Sequence, residues 1–311
     1  MVRRYAAVAP DAKLILCAGS ITRDHVYTIG EPLAAGQKHR STSRFVVGGG
    51  VAANAAVTIS RLGGFAALLG VVGADPVGAQ VIAELVEERV GVQHIQRLHG
   101  AETPESIVIV QPDGARTIIA GTAIDVSDVS VTSIPTMDLS AVLVDARWPA
   151  ATRVALDVAQ QAGIPGVVDV DRLPSDASIL DAASHLVFSE PAMIELVGSD
   201  DLEVGLRELA RGVRAHVSVT LGARGVMWVD DDQIIRQPAF AVDVVDTTGA
   251  GDVFHGAFAL ALAEGRDTPN AFRFAAATAA VKCSRPGARA GIPNRGAVDS
   301  FLLERATTSA G

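Results

Sequence analysis

One short stretch constrains this chain more than any other: Val245-Asp246-Thr247-Thr248-Gly249-Ala250-Gly251-Asp252-Val253-Phe254-His255-Gly256. A β-rich run over 240–245 leads into it, and an Ala/Leu-rich helical run over 253–264 leaves it. Two glycines and an alanine between them leave room for a ligand to approach the main chain. Strand, small-residue turn and helix is an arrangement that aims backbone N–H groups at an anion. Asp252 stands at the same helix start, where its carboxylate would repel phosphate. The conflict resolves if Asp252 takes a proton while the turn at Gly249, Ala250 and Gly251 holds the charge of a group in transfer. Gly256 lies one helical turn on, on the same face, and allows close packing there. The stretch therefore predicts phosphoryl transfer to an alcohol.

The remainder of the chain must supply a fold for that turn. Its 311 residues, 49% of them hydrophobic, suffice for one large α/β domain with an insertion, or for two domains. A net charge of −9 and a pI near 5.2 argue against nucleic acid and against an anionic membrane surface as partners. Cys17 and Cys283 lie in apolar surroundings without CxxC spacing, which predicts two buried thiols in a reducing cytosol. Residues 1–12 read as a loose leader with no sustained apolar core, so no signal peptide is expected. No apolar run reaches membrane-spanning length, and a cytoplasmic location is the expectation.

Read in order, the chain alternates strands and helices. Residues 14–19 form a short apolar run ending in glycine, a common opening of a parallel sheet. Residues 20–27 and 43–47 are strand-like, with Lys38 in the polar stretch between them. Gly48-Gly49-Gly50 opens an Ala-rich helix over 51–62, closed by Gly63-Gly64. A buried strand over 65–72 and an amphipathic helix over 79–90 follow. Asp113-Gly114 between 106–110 and 116–120 predicts a hairpin. Beyond 140, strands at 141–144, 167–170, 186–188 and 216–221 alternate with helices at 151–162, 191–197 and 202–214. A second hairpin (225–229 with 234–237) surrounds Asp230-Asp231-Asp232, and the final third is helical at 253–264, 270–283 and 298–304.

This rhythm predicts an α/β fold: a three-layer, Rossmann-like sandwich of a parallel sheet between helices. The strands at 23–47 and 99–121 break it and are expected to form a small separate β-sheet, a lid over a core made of 13–22, 48–98 and 122–311. Free edges on that sheet suggest pairing between two subunits, hence a homodimer through the lid.

Asp246-Thr-Thr-Gly-Ala-Gly-Asp252-x-Phe254-x-Gly256 resembles the C-terminal signature of the ribokinase-like (PfkB) family of sugar kinases. Gly48-Gly-Gly-Val-Ala-Ala-Asn54-Ala-Ala56 with Leu62-Gly-Gly64 resembles its N-terminal signature. Gly70-Val-Val-Gly-Ala-Asp75-x-x-Gly78 and Val219-Thr-Leu-Gly-Ala-Arg-Gly225 also fit, in family order.

The resemblance implies ATP with Mg²⁺ as donor and a sugar as acceptor. It implies that Asp252 is the general base and that Gly249, Ala250 and Gly251 form the anion hole. Asp24, Gly48, Gly49 and Asn54 would face the sugar. Ser189, Thr220, Gly222 and Gly225 would line the nucleotide site, with 276–283 walling the adenine. Where the family carries Asn-x-x-Glu near the phosphates, this chain reads Ser189-Glu190-Pro191-Ala192. Glu190 could serve the metal from a shifted position, or the metal could rest on Asp246 and water.

Several stretches are similar to one branch, the kinases of 6-deoxy-6-sulfofructose. They are Asp145-Ala-Arg147-Trp148, Phe188-Ser-Glu-Pro191, Gln237-Pro-Ala-Phe240 and Lys282-Cys-x-Arg285-Pro-Gly-x-Arg289-Ala-Gly-Ile-Pro293. A sulfonate needs fixed positive charge, for which Lys38 and Arg147 are the candidates, arginine being the better fork for a trigonal anion. Ala120 stands where that branch carries an amide, which would relax the pocket toward other ketoses. The expected reaction is phosphorylation of a primary hydroxyl of a ketose, O1 of 6-deoxy-6-sulfofructose in the first instance. Fructose, ribose and phosphosugar kinases of the same family, a nucleoside kinase and a non-catalytic sugar-binding protein are the alternatives.

Overall fold

The computed structural model describes residues 12–132, 134, 138–174 and 176–308. The leader read at 1–12 thus falls, but for residue 12, outside the described residues.

β1 (Leu14–Ala18) organises the large sheet. Its side chains alternate strictly: Ile15 and Cys17 enter one apolar layer, Leu16 and Ala18 the other. A strand buried on both faces needs helices on both sides, and this chain provides them. On one flank of β1 lie β4 (Phe65–Gly73) and then β5 (Gly91–Leu98), both parallel. On the other flank β8 (Leu139–Val144), β9 (Gly166–Val170), β10 (His185–Ser189) and β11 (His216–Thr220) continue in parallel. The antiparallel hairpin of β12 (Val226–Asp230) and β13 (Gln233–Gln237) closes that edge. Nine strands result; from β1 the chain adds β4 and β5 toward one edge and then β8 to β13 toward the other. That reversal opens a crevice at the C-terminal ends of the strands.

One face carries α1 (Val51–Arg61), α2 (Pro76–Glu87), α6 (Ala250–Ala263), α7 (Thr268–Cys283) and α8 (Arg295–Thr308). The other carries α3 (Pro149–Ala162), α4 (Glu190–Val197) and α5 (Leu202–Gly212). Capping chemistry places their ends. Asp75 accepts from the Gly78 N–H ahead of Pro76 in α2, and Asp267 does the same for Asn270 at the start of α7.

The second sheet has the order β3 (Ser41–Gly49), β2 (Thr22–Ile29), β6 (Glu105–Val110), β7 (Arg116–Ala120). It arises from the two segments that broke the α/β rhythm, as expected. Three readings of local structure are corrected. The run at 240–245 is extended chain without strand pairing, so a loop rather than a strand enters α6. Gly48 and Gly49 end β3, and Gly50 alone caps α1. β5 escaped notice because Gly91–Leu98 is an edge strand, partly buried with interspersed polar residues, and lacks an apolar run.

Candidate active site

The crevice is a cleft of about 1380 Å³ between the two sheets, lined at one end by α6 and α7 and at the other by the loops after β1, β8 and β9. Gly249 adopts a left-handed conformation (φ 73°) and hands the chain into α6. The Ala250 N–H is spent inside the turn, on the Thr247 carbonyl at 3.1 Å. Val253 N–H bonds Gly249 O at 3.0 Å, the first helical bond of the ladder. The amides of Gly249, Gly251 and Asp252 have no such acceptor among the described residues, as the first turn of a helix dictates. The free N–H groups are therefore shifted by one residue from the expected set: Ala250 shapes the turn instead of offering its amide.

Asp252 is half-buried in the cleft. Asn54 Nδ2 donates to its Oδ2 at 2.7 Å. Asn54 is itself oriented from behind, since Arg289 Nε and Nη2 donate to its Oδ1 at 3.3 and 3.2 Å. Burial pushes the Asp252 carboxyl up to about 7; the Asn54 bond, His255 and Arg147 oppose that rise, and Asp169 adds to it. Such a carboxyl sits where a general base works best near neutral pH. The turn before α6 is anchored too. Buried Lys282 of α7 donates to the Asp246 carbonyl at 2.7 Å, and Arg116 of β7 donates to the Thr247 carbonyl at 2.9 Å.

Of the residues singled out in the sequence, Asp24, Asn54, Arg147, Thr220, Gly222, Gly225, Gly249, Ala250, Gly251 and Asp252 line this one cleft. Asp24 accepts from Thr22 Oγ1 at 3.1 Å, and burial raises its pKa above the usual carboxylate range. Ala276, Ala279, Ala280 and Cys283 form a flat wall of α7 opposite Thr220 and Gly222, so Cys283 is half-exposed in the cleft rather than buried.

Five of the expected site residues lie outside this lining. Gly48 and Gly49 do not line the cleft; their missing side chains make room for others. A Cβ on Gly48 would stand 2.2 Å from Arg289 Nη1, and one on Gly49 2.2 Å from Asp24 Oδ2. Lys38 is exposed in the loop between β2 and β3, away from the cleft. Ser189 caps α4, accepting from Ala192 N–H at 3.3 Å. Glu190 accepts from Arg224 at 2.5 Å and lies outside the cleft lining. Conversely, Arg289, Arg116 and Arg172 belong to the site or its support and were not assigned roles. Arg289 stands in a quoted motif, whereas Arg116 and Arg172 carry no local signal that separates them from solvated arginines.

Arg147 reaches the cleft already engaged. It donates to Asp171 Oδ2 at 2.5 Å, and its Nη1 lies 3.6 Å from Asp145 Oδ2. Asp145 in turn accepts from the N–H and hydroxyl of Ser20 at 2.7 and 2.6 Å, which ties β1 to β8 at the crevice.

Comparison with known proteins agrees with this geometry. The family model described as pfkB family carbohydrate kinase matches residues 12–295. Ribokinase of Bacillus subtilis (strain 168) is 30% identical, over 93% of this chain and 99% of its own. The crystal structure of a provisionally assigned ribokinase from Agrobacterium tumefaciens superposes with a TM-score of 0.90 at 32% identity, over 95% of this chain and 99% of that one. Arabidopsis thaliana ribokinase, solved in complex with ribose and ATP, superposes with a TM-score of 0.79 at 25% identity, over 94% and 98% of the two chains. The family match runs through both glycine motifs, the acidic residue between the free amides and the small sheet above them, so this chain belongs to the pfkB family of carbohydrate kinases.

Proposed function

We propose that the protein is an ATP-dependent kinase of the primary hydroxyl of a ketose, with O1 of 6-deoxy-6-sulfofructose as the leading acceptor. One observation carries the reaction type. A half-buried carboxylate, Asp252, is aligned by Asn54 beside unpaired first-turn amides at the floor of the cleft. At about 1380 Å³ the cleft exceeds the usual range for a single small ligand, roughly 300–1,000 Å³, and suits a nucleotide and a sugar together.

In this reading the adenine lies against Ala276, Ala279 and Ala280, with its phosphates running past Thr220 and Gly222 toward α6. The small sheet acts as a lid that excludes water. Asp24 and Asn54 hold sugar hydroxyls. Asp252 Oδ1, free of the Asn54 bond, takes the proton of the attacking hydroxyl. The sugar oxygen, relieved of its proton, bonds to the γ-phosphorus as the bond to the bridging oxygen breaks, and the electron pair leaves on ADP. The amides of Gly249, Gly251 and Asp252 receive the charge on the transferred group.

Mg²⁺ would accompany ATP and offset phosphate charge. Among the described residues no group of three or more His, Cys, Asp or Glu side chains fits a cation, and Glu190 is tied to Arg224. The described residues offer no resident cage for the ion, and no step above runs through it.

The sulfonated acceptor rests on Arg147 and Arg172, which both line the cleft, Arg172 without a protein carboxylate among the described residues. Lys38 no longer supports it. A plain ketose or ribose is the second reading, favoured by the balance of Arg147 against Asp145 and Asp171 and by ribokinase and fructokinase relatives. An ATP-consumption panel of fructose, fructose 6-phosphate, 6-deoxy-6-sulfofructose, ribose and adenosine separates them. Turnover led by the sulfonated sugar supports the first, turnover led by fructose or ribose the second, and activity on adenosine alone rejects both.

The enzyme is further proposed to be a cytoplasmic homodimer joined through the lid. Ile119 of β7 is more than half exposed, and its cross-strand partner Ile107 is exposed beside it on the small sheet. A monomer mass in solution at micromolar protein would remove that proposal.

A further inference from the structure

Beneath Asp252 the protein buries charge that the reaction does not obviously need. His255 lies three residues on in α6, on the same helical face, and is 4% exposed. Its Nδ1 is 2.7 Å from Oδ2 of Asp169, a residue of β9 that is 3% exposed. Neither residue lines the cleft. Both ring nitrogens of His255, Oδ1 of Asp169 and Nη1 of Arg147 are buried without a hydrogen-bond partner among the described residues, so the 2.7 Å approach of Nδ1 to Asp169 is a contact of opposite charges rather than an aligned hydrogen bond. Burial would discharge a lone imidazole, but Asp169, Asp252 and Asp171 outweigh it and hold the ring's pKa above its usual value. A histidine–aspartate pair deep in a sheet–helix interface is costly relative to an apolar pair of the same shape.

We propose that His255 and Asp169 form a charge-neutral pair that sets the ionisation of Asp252, with His255 as the positioning residue that keeps the base usable at neutral pH. The inference rests on Asp252 being the base. Left alone, Asp169 would place a second negative charge behind a half-buried carboxylate. His255 cancels it. The other groups facing the site are already committed. On the α1 side, Asn54 is held by Arg289. Beyond β8 and β9, Arg147 is shared by Asp145 and Asp171, with Asp169 a weaker third neighbour. Lys282 of α7 is bound to Asp246, and Cys17 of β1 is a thiol that burial keeps protonated. His255 is thus the cation with no carboxylate but Asp169 to serve and with Asp252 on its own helical face.

The test is the acidic limb of kcat/KM for the accepted sugar in three proteins: wild type, His255→Gln, and His255→Gln with Asp169→Asn. Removing the imidazolium alone uncovers Asp169, and the limb is expected to move up by about one pH unit. Neutralising both groups is expected to return it to within a few tenths of wild type. A merely structural pair would leave the limb unmoved in the single variant, which would overturn the proposal. If His255→Gln does not fold, ¹⁵N-histidine NMR of the wild type decides: a doubly protonated His255 ring at pH 8 supports the proposal, and a neutral ring at pH 7 overturns it. Asp252→Asn distinguishes the two failures. Full turnover in that variant removes the base itself; an inactive Asp252→Asn with an unmoved His255→Gln limb removes only the tuning pair.

Discussion

At the α6 end of the cleft one carboxylate faces unpaired main-chain amides, whereas at the wall behind β8 and β9 the carboxylates of Asp145, Asp169 and Asp171 surround a single guanidinium. The first end is built from backbone. Its donors are fixed by the left-handed turn at Gly249 and by the helix that follows, and side chains only orient the acid. The second end is built from side-chain charge, which can be redistributed by single substitutions without moving the fold. This difference explains why a family can keep one reaction and change its acceptor. In the proposed reading, reaction type is held by main-chain geometry and acceptor choice by exchangeable ion pairs.

The comparison can be broken by substitution. Arg289→Met leaves the amides in place but frees Asn54, whose Oδ1 loses both donors. Loss of a buried charged hydrogen bond of about 1.5–3 kcal/mol predicts a roughly 10- to 100-fold fall in kcat/KM, together with a lower Tm. An unchanged kcat/KM would show that Asn54 orients itself. Arg147→Gln acts mainly at the second end, its pull on the Asp252 carboxyl being the weakest of the effects there. It should raise KM for an anionic acceptor about 10-fold while kcat changes less, because one ground-state contact is removed. For a neutral sugar the same variant should change KM little. Steady-state kinetics on the two sugar classes separates these outcomes. Lys38→Ala, on the exposed loop between β2 and β3, should leave both constants within about twofold, as an exposed lysine contributes little.

Stability offers a further contrast. The Asp252 carboxyl is raised from 3.8 to about 7 in the folded chain, so it opposes folding once it ionises. Its unfavourable contribution is absent below the unfolded pKa and complete above about pH 7. Asp252→Asn should therefore raise the unfolding free energy by about 1–3 kcal/mol at pH 8 and by much less at pH 5. Denaturant titrations at the two pH values measure the difference; an equal change at both would mean that the carboxyl is not strained by burial.

Much of this was legible in the chain. β1 announced itself because Leu14–Ala18 is apolar on both faces, and the hairpins did because Asp113-Gly114 and Asp230-Asp231-Asp232 mark their turns. The cleft floor was legible because small residues leave few options at Gly249–Asp252. The failures have physical causes. β-propensity at 240–245 was overridden because that segment finds no neighbouring strand and instead runs past the C-terminus of α7, where Val245 and Asp246 N–H bond Cys283 O. Gly48 and Gly49 looked like ligand-facing glycines, yet what crowds them is protein, the side chains of Arg289 and Asp24. His255 and Asp169 lie on elements far apart in sequence, and nothing local pairs them.

The most direct test is the rate of phosphoryl transfer by Asp252→Asn, measured in a single turnover at pH 8 with the accepted sugar and ATP. The account predicts a fall of about 10²- to 10⁴-fold with sugar and nucleotide binding retained. Transfer at the wild-type rate by a folded Asp252→Asn protein would contradict it.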